Sequence, residues 1–222
     1  MKDYKAIAFD IDGTLYPSWV FNLCVAPYFL IHLPFFLKYA KVRHILHRTA
    51  PLADFFEYQG RLLAHELGCS VAEAEEKICR LIYTGLKPFF RFVRPFPQVK
   101  ETFRKFHEAG YKIALLSDFP PEQKGNLWGI RPYCDEILGT EQIGALKPSV
   151  YPFGVLAMKL GVKPSEILYV GNSVRYDIEG AHNAGMKTAY LLPFWRRLFC
   201  MTATPADISF KSYRHLQNIV LQ

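Results

Sequence analysis

The first fifteen residues constrain the fold of this chain more than any other stretch. Tyr4 to Phe9 form a short apolar run, which is typical of a buried strand in a parallel sheet. Asp10 and Asp12 follow, and side chains two positions apart in an extended chain point the same way. Two carboxylates this close need a compensating cation, proton or basic group, and Mg²⁺ prefers such oxygen ligands. The alternative is an Asx-type turn at Gly13 with no bound ion.

The second half of the chain alternates between predicted helices and strands. This order is typical of a doubly wound, Rossmann-like α/β core with a parallel sheet, in which ligands bind where strands end. Helices are predicted over Gln98–Ala109, Pro121–Leu127, Lys147–Leu160 and Asp177–Ala184, and within the last part of Ile208–Leu221. Strands are predicted over Tyr111–Leu116, Glu136–Leu138, Ile167–Val170 and Lys187–Leu192, and at the start of Ile208–Leu221.

A long insertion separates the first strand from this alternating region. Apolar residues between Leu52 and Leu67 recur at helical spacing, and Gly68 can end that helix. Ser70 and Glu73 have the spacing of a capping box, which predicts a further helix through about Tyr83. We therefore predict two domains: a helical cap over residues 17–94, and a core made of residues 1–16 and 95–222.

The insertion begins with a stretch that carries no formal charge from residue 13 to residue 37. Trp19 to Leu37 is apolar enough to suggest a membrane span. Such a span would separate Asp10 from the polar residues of the later strands, so we expect helices buried in the cap or packed against a second subunit in a homodimer. The alternative is contact with a membrane surface, since basic residues follow at Lys38 and Lys41.

Four short segments together resemble the motifs of a known family. They are Asp10-Ile11-Asp12-Gly13-Thr14-Leu15, Leu115-Leu116-Ser117-Asp118, Leu146-Lys147-Pro148 and Gly171-Asn172-Ser173-Val174-Arg175-Tyr176-Asp177. In this order, with an insertion after the first, they resemble the haloacid dehalogenase (HAD) superfamily, most of whose members are Mg²⁺-dependent phosphatases. The place of the insertion resembles a C1-type cap.

The resemblance implies a role for each matching residue. Asp10 would be the nucleophile that forms an aspartyl-phosphate, and Asp12 would serve as acid and then base. Family dehalogenases usually lack an acid at the position of Asp12, which favours phosphoryl transfer. Ser117 and Lys147 would bind the substrate phosphate, although Ser117 alone would read as a turn residue. The resemblance implies the metal ligands Asp10, Asp12, Asp177 and Asn172.

Asn172 departs from the family pattern, which usually has an aspartate at this position. The amide oxygen can still bind a cation, but one negative charge is missing. At 4 Å each charge attracts Mg²⁺ by roughly 2 kcal/mol in bulk water and more in a cleft. We therefore expect weaker Mg²⁺ affinity, with Asp10 and Asp177 still in place. Asp177 by itself would read as the N-cap of the helix that follows.

Composition limits the other partners. The net charge of +7 suits an anionic partner such as a phosphorylated small molecule, and we find no nucleic-acid-binding motif. The five cysteines form no CxxC pair, which predicts a reducing, cytoplasmic location, as does a strand that starts at the N-terminus without a signal peptide. They are Cys24, Cys69, Cys79, Cys134 and Cys200.

These observations predict a soluble HAD-like hydrolase that acts with Mg²⁺ on a small phosphomonoester, of the nucleotide or sugar phosphate type. The competing hypothesis is a catalytically weakened binding protein that uses the apolar cap for dimer or membrane contact. Asn172 and the uncharged stretch of residues 13–37 favour this second hypothesis.

Overall fold

The computed structural model describes residues 4–198 and 205–222, so Cys200 lies outside the described residues. Within them, six strands form one sheet in the order β3-β2-β1-β4-β5-β6, and every neighbouring pair is parallel. The strands are β1 (Ala6–Phe9), β2 (Lys112–Ser117), β3 (Glu136–Gly139), β4 (Ile167–Gly171), β5 (Lys187–Leu191) and β6 (Ile208–Phe210). Because β1 lies between β2 and β4, the carboxyl ends of these three strands meet at one edge of the sheet.

Helices cover both faces of the sheet. On one face, Ile7 and Phe9 of β1 belong to the same buried cluster as Phe103 and Leu216. On the other face, the small side chains of Ala6 and Ala8 allow close packing with the helix that carries Phe153. The core helices are α5 (Val99–Glu108), α6 (Thr140–Ile143), α7 (Val150–Leu160), α8 (Gly180–Asn183), α9 (Phe194–Leu198) and α10 (Tyr213–Leu221). The predicted doubly wound α/β core is confirmed.

Two helices begin at other residues than the sequence predicts. The predicted Lys147 helix begins at Val150, because the Ser149 hydroxyl accepts a hydrogen bond from the Tyr151 amide as an N-cap. The predicted Asp177 helix begins as a π-helical turn over Val174–Glu179, with Ser173 as its N-cap, and continues into α8. As a result, Lys147 lies in a loop and Asp177 lies within a helical turn, where its carboxylate is not needed as a cap.

The chain between β1 and β2 is mainly helical. It contains α1 (Ser18–Ile31), α2 (Leu33–Leu46), α3 (Phe55–Leu67), α4 (Val71–Ile78), a π-helical turn over Cys79–Thr84 and a 3-10 helix over Lys87–Phe92. Gly68 ends α3 in the left-handed conformation, and Ser70 with Glu73 forms the predicted capping box of α4. These elements build their own apolar cluster, which includes Val42, Leu63 and Ile78. The domain boundaries given above stay a prediction.

The uncharged stretch forms α1 and the start of α2, and the chain bends by 115° between these two helices. No single helix among residues 4–198 and 205–222 is long and apolar enough to span a membrane, whereas this bent pair meets the length and composition requirement together. Val25 is the only residue of α1 that is fully buried. Burial in the cap therefore accounts for the inner face of the pair and leaves the outer face exposed.

Candidate active site

The Lys147 side chain bridges two carboxylates that were predicted to belong to the site, those of Asp10 and Asp177. Its Nζ atom donates hydrogen bonds of 2.7 Å to Oδ1 of Asp10 and of 2.7 Å to Oδ1 of Asp177. Asp10 follows β1, Lys147 lies in the loop before α7, and Asp177 lies in the turn after β4. All three side chains are buried. The parallel sheet thus brings residues 137 and 30 positions apart into one charged cluster.

The remaining carboxylate oxygens of this cluster also have donors. Thr14 Oγ1 lies 2.7 Å from Asp10 Oδ2 and 3.1 Å from Asn172 Oδ1. Asp177 Oδ2 accepts hydrogen bonds from the backbone amides of Asn172 and Ser173. These bonds fix the direction in which Asp10 and Asp177 point, and they place the Asn172 amide oxygen beside Asp10.

Gly13 makes this arrangement possible. Its φ of +87° lies in the left-handed region that side chains rarely adopt, and a Cβ atom there would collide with the Asn172 side-chain amide. The chain can therefore turn directly after Asp12 and let Asn172 approach the loop. The aspartate-glycine pair of the sequence is here a requirement of packing as well as of the turn.

The charges of the cluster do not balance. Burial, followed by the charge of Asp177, raises the pKa of Asp10 to about 7, although Lys147 acts in the opposite direction. Burial opposes the charge on Lys147, but Asp10 and Asp177 outweigh it and raise the pKa of Lys147 well above its usual value. One ammonium group facing two carboxylates leaves a surplus of negative charge, and a phosphate would add to it. A further cation would compensate this surplus.

The donor set suits a hard cation such as Mg²⁺. Asp10, Asp177 and Asn172 offer two carboxylates and one amide oxygen, and hard cations take oxygen ligands of these kinds. Within the described part of the chain, no group of three or more His, Cys, Asp and Glu side chains is arranged to hold a metal ion. The third oxygen donor comes from Asn172, which is not one of those residue types, so the residues present fit the predicted ion with one charge fewer.

Asp12 takes its hydrogen bonds from a second cluster. Its Oδ1 accepts a 2.6 Å bond from the Tyr16 hydroxyl, and its Oδ2 lies 3.0 Å from both Ser117 Oγ and Lys124 Nζ. Lys124 Nζ also donates to Ser117 Oγ at 3.0 Å, and its side chain is fully buried. The predicted site residues are therefore held in two groups: Asp10, Lys147, Asn172 and Asp177 in one, and Asp12 and Ser117 in the other.

The second cluster keeps Asp12 ionised. Burial alone would raise the pKa of Asp12, but the charge of Lys124 and the hydrogen bonds from Tyr16, Lys124 and Ser117 together hold it below the usual value. Burial and the negative charge of Asp12 raise the pKa of the Tyr16 hydroxyl, which therefore stays protonated and remains a donor. Asp12 is accordingly a carboxylate that can accept a proton.

Sequence reasoning did not assign a role to Thr14, Tyr16 or Lys124. Thr14 belongs to the first motif, and Tyr16 lies four residues after Asp12, so both had a local signal. Lys124 had none, because a lysine after Pro-Pro-Glu-Gln reads as a surface charge. Its burial results from packing between this loop and the cap, which the sequence does not reveal.

The cap contacts the core loops near the site through α2, the residue that follows it and the π-helical turn. His47 Nδ1 lies 2.6 Å from the backbone oxygen of Lys147. Arg43 forms a buried ion pair with Glu141, whose second oxygen accepts a 2.8 Å hydrogen bond from Tyr83. These contacts tie the position of α2 to the loop that presents Lys147.

A cavity of about 510 Å³ lies between the helices α1 and α2 of the cap and the core loops that carry Asp118 and Tyr176. The core contributes Asp118, which follows Ser117 in the chain, and Tyr176, which precedes Asp177. The cap contributes mainly apolar side chains, among them Phe29, Phe36 and Tyr39. The lining residues belong to neither cluster, but Asp118 accepts a 3.1 Å hydrogen bond from the Lys147 backbone amide, which places the cavity next to the loop that carries Lys147. The cavity is large enough for the organic part of a small substrate.

Known proteins are similar to this chain in sequence and in fold. A phosphoglycolate phosphatase of Haemophilus influenzae is 28% identical over 98% of both chains. A glyceraldehyde 3-phosphate phosphatase of Methanopyrus kandleri is 38% identical, and the match spans 45% of this chain and 44% of that protein. The fold is similar to that of a HAD-hydrolase of Bacillus subtilis solved with bound magnesium, with a TM-score of 0.69, 15% identity and 99% coverage of both chains.

The family model for haloacid dehalogenase-like hydrolases matches residues 4–185, which include both clusters and the whole cap. This match confirms the resemblance on which the site residues were predicted. The chain belongs to the haloacid dehalogenase-like hydrolase family.

Proposed function

We propose that this hydrolase is a Mg²⁺-dependent phosphatase that cleaves a phosphomonoester through an aspartyl-phosphate on Asp10. The observation that carries the proposal is the pair of clusters: a buried carboxylate held by Lys147 beside Asp177, and a separate ionised carboxylate, Asp12, beside Ser117. Phosphoryl transfer needs a nucleophile, a proton carrier and charge compensation, and the two clusters supply candidates for each. The phosphatase names of the relatives support the same activity.

In the first step, an oxygen of Asp10 attacks phosphorus and the bond from phosphorus to the leaving oxygen breaks. Lys147 is the group that favours the ionised form of Asp10, and with Ser117 it would hold the oxygens of the phosphoryl group. A Mg²⁺ ion held by Asp10, Asn172 and Asp177 would supply the missing positive charge. Asp12 was also predicted as a metal ligand, but its hydrogen bonds favour a role in proton transfer.

Asp12 is the residue that we assign to both proton transfers. A phosphate dianion beside it would raise its pKa, because like charges disfavour ionisation. Asp12 could then carry the proton that the leaving oxygen needs. Once it has given up that proton it is again a carboxylate, and it takes a proton from the water molecule that hydrolyses the phosphorylated Asp10.

The experiment that tests this proposal measures phosphate release across a panel of phosphomonoesters, with Mg²⁺ and with EDTA. Nucleotides and sugar phosphates, the substrates predicted from the sequence, belong to the panel. Asp10→Asn should abolish turnover, whereas Glu122→Gln, which removes an exposed charge from the loop after β2, should retain it. Turnover that persists in Asp10→Asn or in EDTA would contradict the proposal.

Two further predictions stay open. The cytoplasmic location is our proposal from the sequence, whereas the predicted homodimer through the cap competes with membrane contact for the same apolar surface. The binding-protein hypothesis is tested by the same panel, since a phosphate analogue that binds to the wild-type protein without any turnover would favour it.

A further inference from the structure

The outer face of α1 and α2 carries six large apolar side chains that are exposed. In α1, Trp19, Leu23 and Leu30 lie on one stripe, since their spacing of four and seven residues follows the helical repeat. Their exposed fractions are 67%, 68% and 70%. Ile31, Leu33 and Leu37, which follow at the bend and in α2, are exposed as well. Single exposed apolar residues are ordinary, whereas a group of this size within twenty residues indicates an interaction surface.

The positive charge of the chain is concentrated in two segments of the sequence, the first of which forms this face. Residues 13–53 and 77–100 together contain ten lysines and arginines and no aspartate or glutamate, whereas the rest of the chain contains seventeen basic and twenty acidic residues. The entire positive net charge therefore comes from these two segments. They are also joined in space, because Phe21 of α1 stacks on Phe90 with ring centroids 4.5 Å apart. Beside Phe90, Lys87 and Arg91 are exposed.

We propose that this face, formed by the outer surfaces of α1 and α2, binds an anionic membrane surface. Apolar side chains bordered by basic ones match the lipid interface, where acyl chains lie beneath anionic headgroups. A second copy of the chain would bring two surfaces of the same charge together, which is unfavourable. The 115° bend between α1 and α2 suits a helix pair that lies in the interface.

The inner side of the same helix pair lines the 510 Å³ cavity next to the site. Of the described lining residues, Arg43 alone is a lysine or arginine, and its charge is already paired with Glu141. Its guanidinium also stacks on the Phe119 ring at 4.5 Å. A leaving group with a carboxylate would find no unpaired arginine or lysine here, whereas Phe29 and Phe36 suit an apolar chain or ring.

The two surfaces together indicate the class of substrate. The outer face places the cap at the lipid interface, and the cavity on its inner side receives the apolar part of a molecule whose phosphate lies between the two clusters. The substrate is therefore an amphiphile with a terminal phosphomonoester. This substrate class rests on the proposed phosphatase function, whereas membrane binding does not.

Membrane binding is tested by sedimentation with phosphatidylcholine vesicles, with and without phosphatidylglycerol. The wild-type protein should bind the anionic vesicles at least about ten-fold more tightly than the neutral ones, and less tightly as salt rises. The double variant Leu30→Glu with Ile31→Glu should lose this binding. The matched control, Met158→Glu with Val150→Glu on the exposed side of α7, should bind as the wild type does.

A second variant keeps the test independent of whether α1 still folds correctly with two added glutamates. Lys87→Glu with Arg91→Glu changes only exposed charges and should lower binding to anionic vesicles while preserving the thermal unfolding curve. Absence of binding by the wild type, or equal loss in the α7 control, would overturn the proposal. A concentration-dependent dimer that the Leu30 and Ile31 changes dissociate, with no vesicle binding, would also overturn it.

The substrate class is tested by comparing octyl phosphate with ethyl phosphate below the micellar concentration. The ratio kcat/KM should favour octyl phosphate by about ten-fold or more, because the added methylene groups leave water. Ala40→Phe, which fills part of the cavity, should reduce turnover of octyl phosphate and spare ethyl phosphate. Equal turnover of the two esters would overturn the inference and leave the phosphatase proposal intact. Turnover of neither, nor of any other phosphomonoester, would overturn both.

Discussion

The variant Asn172→Asp restores the aspartate that the family usually has at this position. Asn172 Oδ1 shares the Thr14 hydroxyl with Asp10, at 3.1 Å and 2.7 Å, so Asn172→Asp would put two carboxylates within about 6 Å of each other. At an effective dielectric constant of about 20, two like charges at that distance repel by about 3 kcal/mol. The metal-free variant should therefore be less stable than the wild type.

Mg²⁺ should reverse this effect. In bulk water the added charge attracts a divalent cation at 4 Å by about 2 kcal/mol, which corresponds to about 30-fold in affinity, and the attraction is larger in a cleft. Without Mg²⁺, partial protonation of the carboxylates would leave a cost of about 2 kcal/mol, or a melting temperature lower by about 4–8 °C. Addition of Mg²⁺ should then raise the melting temperature of the variant by more than it raises that of the wild type.

The assay is thermal unfolding across a Mg²⁺ titration, with the apparent affinity taken from the midpoint of the shift. Asn183→Asp is the matched control, because it adds the same charge at an exposed position of α8. The control should behave as the wild type does. An Asn172→Asp variant that is as stable as the wild type without Mg²⁺, and that binds Mg²⁺ with unchanged affinity, would refute the placement of the ion between Asp10, Asn172 and Asp177.

Three further predictions concern single contacts. Lys124→Met should raise the pKa of Asp12, seen in a carboxyl NMR titration, and lower the free energy of unfolding in urea by about 2 kcal/mol at pH 7. Because folding lowers the pKa of Asp12, this loss of stability should shrink as the pH falls below about 4. A loss that does not depend on pH would contradict the Asp12–Lys124 pairing. Gly13→Ala should destabilise the fold by about 1–2 kcal/mol and weaken Mg²⁺ binding, since it displaces Asn172; a stable variant with unchanged Mg²⁺ affinity would argue against this role. Glu141→Gln should cost about 3 kcal/mol in urea unfolding, because Arg43 loses its buried partner, and a loss below about 1 kcal/mol would count against that ion pair.

Much of the core could be predicted because its strands are short apolar runs bounded by polar turns. Such runs read as strands when both faces of a parallel sheet are covered, as Ala6–Phe9 and Ile167–Gly171 are here. Helix starts were harder to predict. The starts near Lys147 and Asp177 were displaced by Ser149 and Ser173, whose capping hydrogen bonds compete with the proline and aspartate signals on which the predictions relied.

The candidate site was predictable where its residues lie at strand ends and less so elsewhere. Asp10 and Asp177 meet because their strands are neighbours, a consequence of topology that the motif order indicates. Lys124 reaches Asp12 through a loop that packs against the cap, and no local pattern encodes that packing. The exposed outer face of α1 was also unpredictable, because an apolar composition does not tell which side of a helix will be covered.

A rapid-quench experiment shows whether Asp10 is the nucleophile. Enzyme and substrate are mixed with Mg²⁺, quenched in acid before one turnover is complete, and the protein is digested and mapped by mass spectrometry. We expect one phosphoryl group on the peptide that contains Asp10 and none in Asp10→Asn. Turnover by the wild-type enzyme with no phosphorylated peptide, or with the phosphoryl group on another residue, would contradict it.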